Sequence, residues 1–185
     1  MSETSRLVLA SASPQRKQIL EQIGVSFDVL PAHVVEESLG DPLEVAEKNA
    51  VRKAEAIPGG LVLGVDTLVT IDDHILGKPQ DLEQARAFLK QLSGRPHRVI
   101  GAIALAREGK VFARELECTL VQFRSIDDRL IDWYLQAEEW QGRAGGYAIQ
   151  GRGATFVERI EGDYLNVVGL PLARLLNLLP DLVYG

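Results

Sequence analysis

Apolar and polar positions change period several times along the chain, and each change predicts an element. Leu7 to Ala10 is a short unbroken apolar run and predicts a buried strand. From Pro14 to about Ile23, Ile19, Leu20 and Ile23 recur at helical spacing, with Ser13 as N-cap, Pro14 as first helical residue and Gly24 as the stop. VSFDVL alternates as a strand does, and the acidic pair Glu36-Glu37 lies in the loop beyond it. DPLE opens a second helix. There Asp41 caps, Pro42 takes the first position and Glu44 approaches a capping box, while Leu43, Ala46, Ala50, Ala54 and Ile57 mark the buried face as far as Pro58-Gly59-Gly60.

LVLGVDTLVTI is nearly all apolar, as a central strand covered on both faces is, and Asp66 is its only charge. DDH turns the chain, ILGKP returns it, and Asp81 with Gln84 caps a third helix through Leu92. HRVIGAIALA and VFARELECTLVQF flank REGK as a hairpin. A helix from about Asp127 to Ala137 follows, then the glycine-rich AGGYAIQGRGATF, a strand through Ile160, the turn EGD, and a last helix begun by Pro171. Hairpins beside crossovers, without strict alternation, predict an α/β (mixed α+β) fold with a central mixed twisted sheet flanked by helices. Residues 1–185 are expected to form one domain, as one body or as two lobes around a cleft.

Composition narrows the function. A chain of 185 residues buries roughly 70% of its unfolded surface, so its core needs neither metal nor disulfide. The net charge of -6 lacks the basic footprint of a duplex-binding protein; a polyanionic ligand would be small and met by a local cluster, and no nucleic acid polymer is expected. Cys118 is the only cysteine, which excludes an internal disulfide and zinc spacings; its strand setting predicts a small core residue. No signal peptide and no membrane-spanning run is found, so a cytoplasmic protein with no membrane partner is expected.

Arg16 and Lys17 sit where a helix N-terminus normally attracts acid. They either flank an anion held on free backbone N–H groups, or extend into water at a cost of a few tenths of a kcal/mol. Lys53 falls near the edge of the second helix's apolar stripe, where it snorkels or faces a cleft. Asp66 is the sharper signal. A carboxylate inside an apolar strand needs a cation, several donors or a metal, and in that setting can deprotonate a water. Lys78 in GKP and Gln150 in GGYAIQGRG stand on loops whose glycines admit close backbone approach, and the Gln150 amide could read a base edge.

Taken together, SASPQR, the EE loop, the helical KA, GVDT, GKP, LSGRPHRV, AGGYAIQG and VVGLPL resemble the Maf-like nucleoside triphosphate pyrophosphatases across nearly the whole chain. The resemblance implies hydrolysis between the α and β phosphates, a divalent metal (Mg, Mn or Co), a fold similar to inosine triphosphatases, and a homodimer. Asp66 would be the proton acceptor, with Lys53 and Lys78 catalytic beside it and Arg16 a further phosphate-facing cation. Glu37 would join Asp66 around the metal, and Ser11 and Ser13 would line the phosphate loop. Thr67 and Gln150 match a subgroup preferring dTTP and UTP. Gln15 departs from that subgroup's SPRR, where arginine stands. The alternatives are a pyrophosphatase for another modified base such as 7-methyl-GTP, or a non-catalytic nucleotide-binding regulator linked to septum and division control.

Overall fold

The computed structural model describes residues 6–184. Seven strands form one mixed sheet: β1 (Leu7–Leu9), β2 (Phe27–Val29), β3 (Leu61–Ile71), β4 (His74–Leu76), β5 (Pro96–Arg107), β6 (Lys110–Phe123) and β7 (Val157–Glu161). Their spatial order is β2-β1-β3-β5-β6-β7, with β4 also beside β3. β1 is parallel to β2 and β3; the other pairings are antiparallel. The helices are α1 (Pro14–Gln22), α2 (Pro42–Glu55), α3 (Leu82–Leu92), α4 (Asp128–Leu135), α5 (Tyr164–Val168) and α6 (Leu172–Leu178). The expected α/β fold with a mixed sheet flanked by helices is the one observed.

The turns follow from local chemistry. Asp72 and Asp73 (φ 49° and 62°) join β3 to β4, and Glu108 with Gly109 (φ 51° and 70°) joins β5 to β6. Two consecutive left-handed residues match the twist of the flanking strands. Ser13 caps α1, and Asp41 caps α2 by accepting from the N–H groups of Leu43 and Glu44. Glu44 itself pairs with Lys48, so no reciprocal capping box forms. α5 was not expected; its signal is Asp163, which accepts from the Leu165 N–H just ahead of a short apolar run.

One edge of β3 is interrupted, and this positions everything that follows. β1 pairs with it over Leu61–Leu63 and β4 over Val69–Ile71. From Gly64 to Leu68 no strand lies on that edge, while β5 continues unbroken on the other. Alternation then divides the strand. Gly64 and Asp66 face α2, whereas Val65 and Thr67 face α1 and α6.

Gly64 allows α2 to lie on the sheet. A Cβ there would stand 2.1 Å from the Ala50 carbonyl oxygen and 2.6 Å from the Ala54 nitrogen. The close approach brings Asn49 and Lys53, both buried, to the middle of the helix's covered face. Leu43 lies at the edge of that face in the first turn and is 45% exposed, contrary to expectation. We expect Gly64→Ala to destabilise the protein by about 3 kcal/mol and to lower activity further by lifting Lys53 off the strand. A thermal melt unchanged from wild type would contradict this packing.

Cys118 is exposed rather than in the core. It shares a face of β6 with Leu116 and Leu120, both only partly covered, and β7 pairs with β6 only over Leu120–Phe123.

Candidate active site

Asp66 reaches α2 from the gap in β3. Its Oδ1 accepts from Lys53 Nζ at 2.6 Å and its Oδ2 from Asn49 Nδ2 at 3.1 Å. Lys53 Nζ also donates to the Val65 carbonyl at 3.2 Å, which satisfies a β3 acceptor where no strand pairs. A second carboxylate, that of Glu36, closes on the same ammonium at 2.6 Å, and Lys78 Nζ stands 3.9 Å from its other oxygen. Burial pushes the Glu36 carboxyl up. The hydrogen bond and charge of Lys53, with Lys78 and Arg16 behind, outweigh it and hold that carboxyl below its ordinary value.

On the other face of β3, α1 turns Arg16 inward. Its Nε donates to the Gly169 carbonyl at 2.9 Å, Nη1 to Ser11 Oγ at 2.8 Å and Nη2 to Thr67 Oγ1 at 3.1 Å. All three acceptors are uncharged, so the guanidinium is fixed without its charge being neutralised. Burial lowers its pKa from the ordinary value, and the charges of Asp66 and Glu36 oppose that shift. Ser13 Oγ accepts the Arg16 N–H at 3.5 Å, and Lys17 makes an exposed pair with Glu21.

A cleft runs from Thr67 and Lys78 to the 142–150 segment and to Gly169. Its walls include Val69, Val99, Val167 and Val168, and its polar residues include Gln15, Arg143 and Gln150. The segment carrying Gln150 is held at several points. Gly145, at φ 68°, donates its N–H to the Gly77 carbonyl at 3.1 Å, which ties it to the loop of Lys78. The Ala148 N–H donates to Tyr134 Oη at 3.0 Å, and Tyr147 Oη meets His97 Nε2 at 2.9 Å. Burial pushes His97 down to about 4, leaving it neutral beside that hydroxyl.

A model of the family described as Maf-like protein matches residues 6–182. The chain belongs to the Maf-like protein family. Its relatives include a protein of Ruminiclostridium cellulolyticum named dTTP/UTP pyrophosphatase, 46% identical over 184 residues and covering 95% of each chain. Proteins of the same name from Thermococcus onnurineus and Pyrococcus furiosus are 48% and 43% identical over 170 and 182 residues. The former alignment covers 90% of this chain and 92% of the relative, the latter 94% of each. Among solved structures, that of the Staphylococcus aureus Ham1 protein aligns with a TM-score of 0.45 at 16% identity, over 66% of this chain and 72% of that one.

In this Maf-like protein the site residues read from the sequence form two adjoining groups. Ser11, Arg16 and Thr67 are hydrogen-bonded together, as are Lys53 and Asp66, with Lys78 beyond Glu36. Ser13, Gln15, Thr67, Lys78 and Gln150 all line the cleft. Glu37 requires correction. Its carboxylate pairs with Arg52, and it is Glu36 that turns towards Lys53 and Asp66. The reason is the Glu37 backbone, whose N–H donates to Asn49 Oδ1 at 2.8 Å and whose carbonyl accepts from Asn49 Nδ2 at 3.0 Å, which fixes which side chain of the pair faces in. Asn49 was missed as well. Its signal is one helical turn before Lys53, a buried polar residue on the same face.

No group of three or more His, Cys, Asp and Glu side chains that could hold a metal occurs among the described residues. Likewise, no helix among them is long and apolar enough to cross a membrane.

Proposed function

We propose that the chain is a nucleoside triphosphate pyrophosphatase that cleaves the α–β phosphoanhydride of a pyrimidine nucleotide, dTTP or UTP, to the monophosphate and pyrophosphate. Such an activity would serve to clear selected nucleotides. One observation carries the reading. Two carboxylates close on one buried ammonium in the β3 gap, beside an arginine whose charge only neutral oxygens meet. Hydrolysis of a phosphoanhydride needs a positioned base and fixed cations facing the phosphoryl oxygens, and this arrangement supplies both. The relatives named dTTP/UTP pyrophosphatase support the substrate class.

Asp66 is the proton acceptor. It is fixed by Lys53 and Asn49, so a water at its free lone pairs would meet an oriented base. Arg16, Lys53 and Lys78 take the phosphoryl charge, with the Ser11 to Ser13 turn and the first N–H groups of α1 at the same end. A divalent cation fits the donor set, because magnesium commonly binds through one or two carboxylates completed by substrate phosphates rather than in an all-protein cage. Glu36 and Asp66 would hold it, and when bound it would neutralise phosphoryl charge and acidify water.

Steady-state kinetics with UTP, dTTP, CTP, GTP and 7-methyl-GTP, in Mg²⁺, Mn²⁺ or Co²⁺, test the substrate class. The expected result is a kcat/KM for UTP and dTTP at least about tenfold above the rest. Turnover of purine nucleotides at equal or higher efficiency would overturn it.

A further inference from the structure

Arg143 differs from the other cations of the site. Arg16, Lys53 and Lys78 are each fixed on or near protein oxygens, and Arg16 and Lys53 use several donors in doing so. Arg143 lines the cleft, is half-buried, and makes no side-chain hydrogen bond or ion pair among the described residues. Tyr134 and Glu139 act on it only through longer-range charge. Its backbone, in contrast, is held firmly: its N–H donates to the Trp140 carbonyl at 3.2 Å and its carbonyl accepts from Gly146 at 3.0 Å. A rigid segment therefore carries five N–H donors at the wall of the cleft, with no protein acceptor for them among the described residues.

Its surroundings indicate which part of a nucleotide it meets. Arg16, Lys53, Asp66 and Glu36 define the phosphate end and do not line the cleft; Lys78 and Thr67 mark the junction. Beyond them the walls are valines and Tyr147, which suit the faces of a ring rather than a polyphosphate. Arg143 and Gln150 line the cleft together with these walls, and Gln15 lines it as well, its Oε1 already accepting from Ser13 Oγ at 3.2 Å. The Watson–Crick edge of uracil or thymine reads acceptor, donor, acceptor. A free glutamine amide matches the ring N–H and one adjoining carbonyl, which leaves the other carbonyl in need of a donor. Cytosine presents its amino group in place of one carbonyl, and a guanidinium cannot accept from it.

We propose that Arg143 is a base-reading residue that donates to a carbonyl of a uracil or thymine ring at the apolar end of the cleft. The proposal rests on the pyrophosphatase reading for its substrate and adds a specificity residue to it. Arg143→Met keeps the length and removes the donors. Its side chain has no protein partner to lose, so the thermal melt of the variant should match wild type. Kinetics with UTP, dTTP and ribose 5-triphosphate, which has no base, are paired with calorimetric binding of UMP and ribose 5-phosphate. In the variant, KM for UTP and dTTP should rise and UMP affinity fall by about 10- to 100-fold, while kcat and both base-free compounds stay unchanged. Loss of the base-free compounds in parallel would place the guanidinium on phosphate or ribose, and no change in any arm would leave it in solvent; either overturns the proposal. If wild type forms no UMP and pyrophosphate from UTP, but UMP binding still weakens in Arg143→Met, the pyrophosphatase reading fails and the base contact stands.

Discussion

Asp66→Asn should lower kcat by about 10³-fold or more while leaving nucleotide binding measurable. The substitution preserves shape and removes the proposed base. Its amide also meets a neighbour that cannot adjust, because Asn49 is held by both the N–H and the carbonyl of Glu37 and so must keep its Nδ2 donor towards position 66. Two donors then face each other wherever the new amide turns its nitrogen that way, and if it turns the other way the nitrogen faces Lys53 Nζ. A loss of about 1–3 kcal/mol in stability should accompany the loss of turnover. Quenched-flow or steady-state turnover beside equilibrium binding of a nucleotide checks both parts. A variant that turns over as fast as wild type shows that Asp66 is not the base.

Lys53→Met should be comparably severe for a different reason. It leaves the Asp66 carboxylate buried without its cation, and removing one partner of such a pair costs about 3 kcal/mol or more. It also removes a charge proposed to face the phosphates, so kcat/KM should fall by about 10²-fold or more. The pH dependence has a definite sign. Glu36 has a lowered pKa in the folded protein, so its contribution to stability is present above the ordinary carboxylate value and is lost as pH falls through the lowered one. Lys53 is the chief source of that lowering. The stability gap between wild type and Lys53→Met should therefore narrow as pH is taken from about 7 to about 3. Chemical denaturation across that range measures it, and a gap that widens on acidification would contradict the pairing.

Much of the fold was legible because the local signals agree. Ser13-Pro14, Asp41-Pro42 and Asp81 place three helix starts, and the two-residue turns at 72–73 and 108–109 lie between runs with unmistakable strand character. Asp66 stood out for a related reason: a charge inside a buried strand demands a partner, and the structure supplies Lys53 and Asn49. What escaped the sequence depends on packing at a distance. The covered face of α2 is set by Gly64, so Leu43 falls outside it and Lys53 lies in its middle rather than at its edge. Glu36 and Glu37 are adjacent acids in a loop, and only the two bonds between Asn49 and the Glu37 backbone decide which of them turns inward. Cys118 has a strand sequence around it, but the partial cover of its face arises from where β7 begins its pairing. Arg143 carried no local signal, because an arginine two residues before a glycine pair is unremarkable until the cleft it lines is seen.

The central claim, cleavage between the α and β phosphates, is tested most directly by the products formed from UTP. Purified protein incubated with UTP and Mg²⁺, with nucleotides separated by chromatography and phosphates resolved by phosphorus NMR, should give UMP and pyrophosphate in equal amounts, with no UDP formed on the way. UDP with orthophosphate, or no product at all, would contradict it.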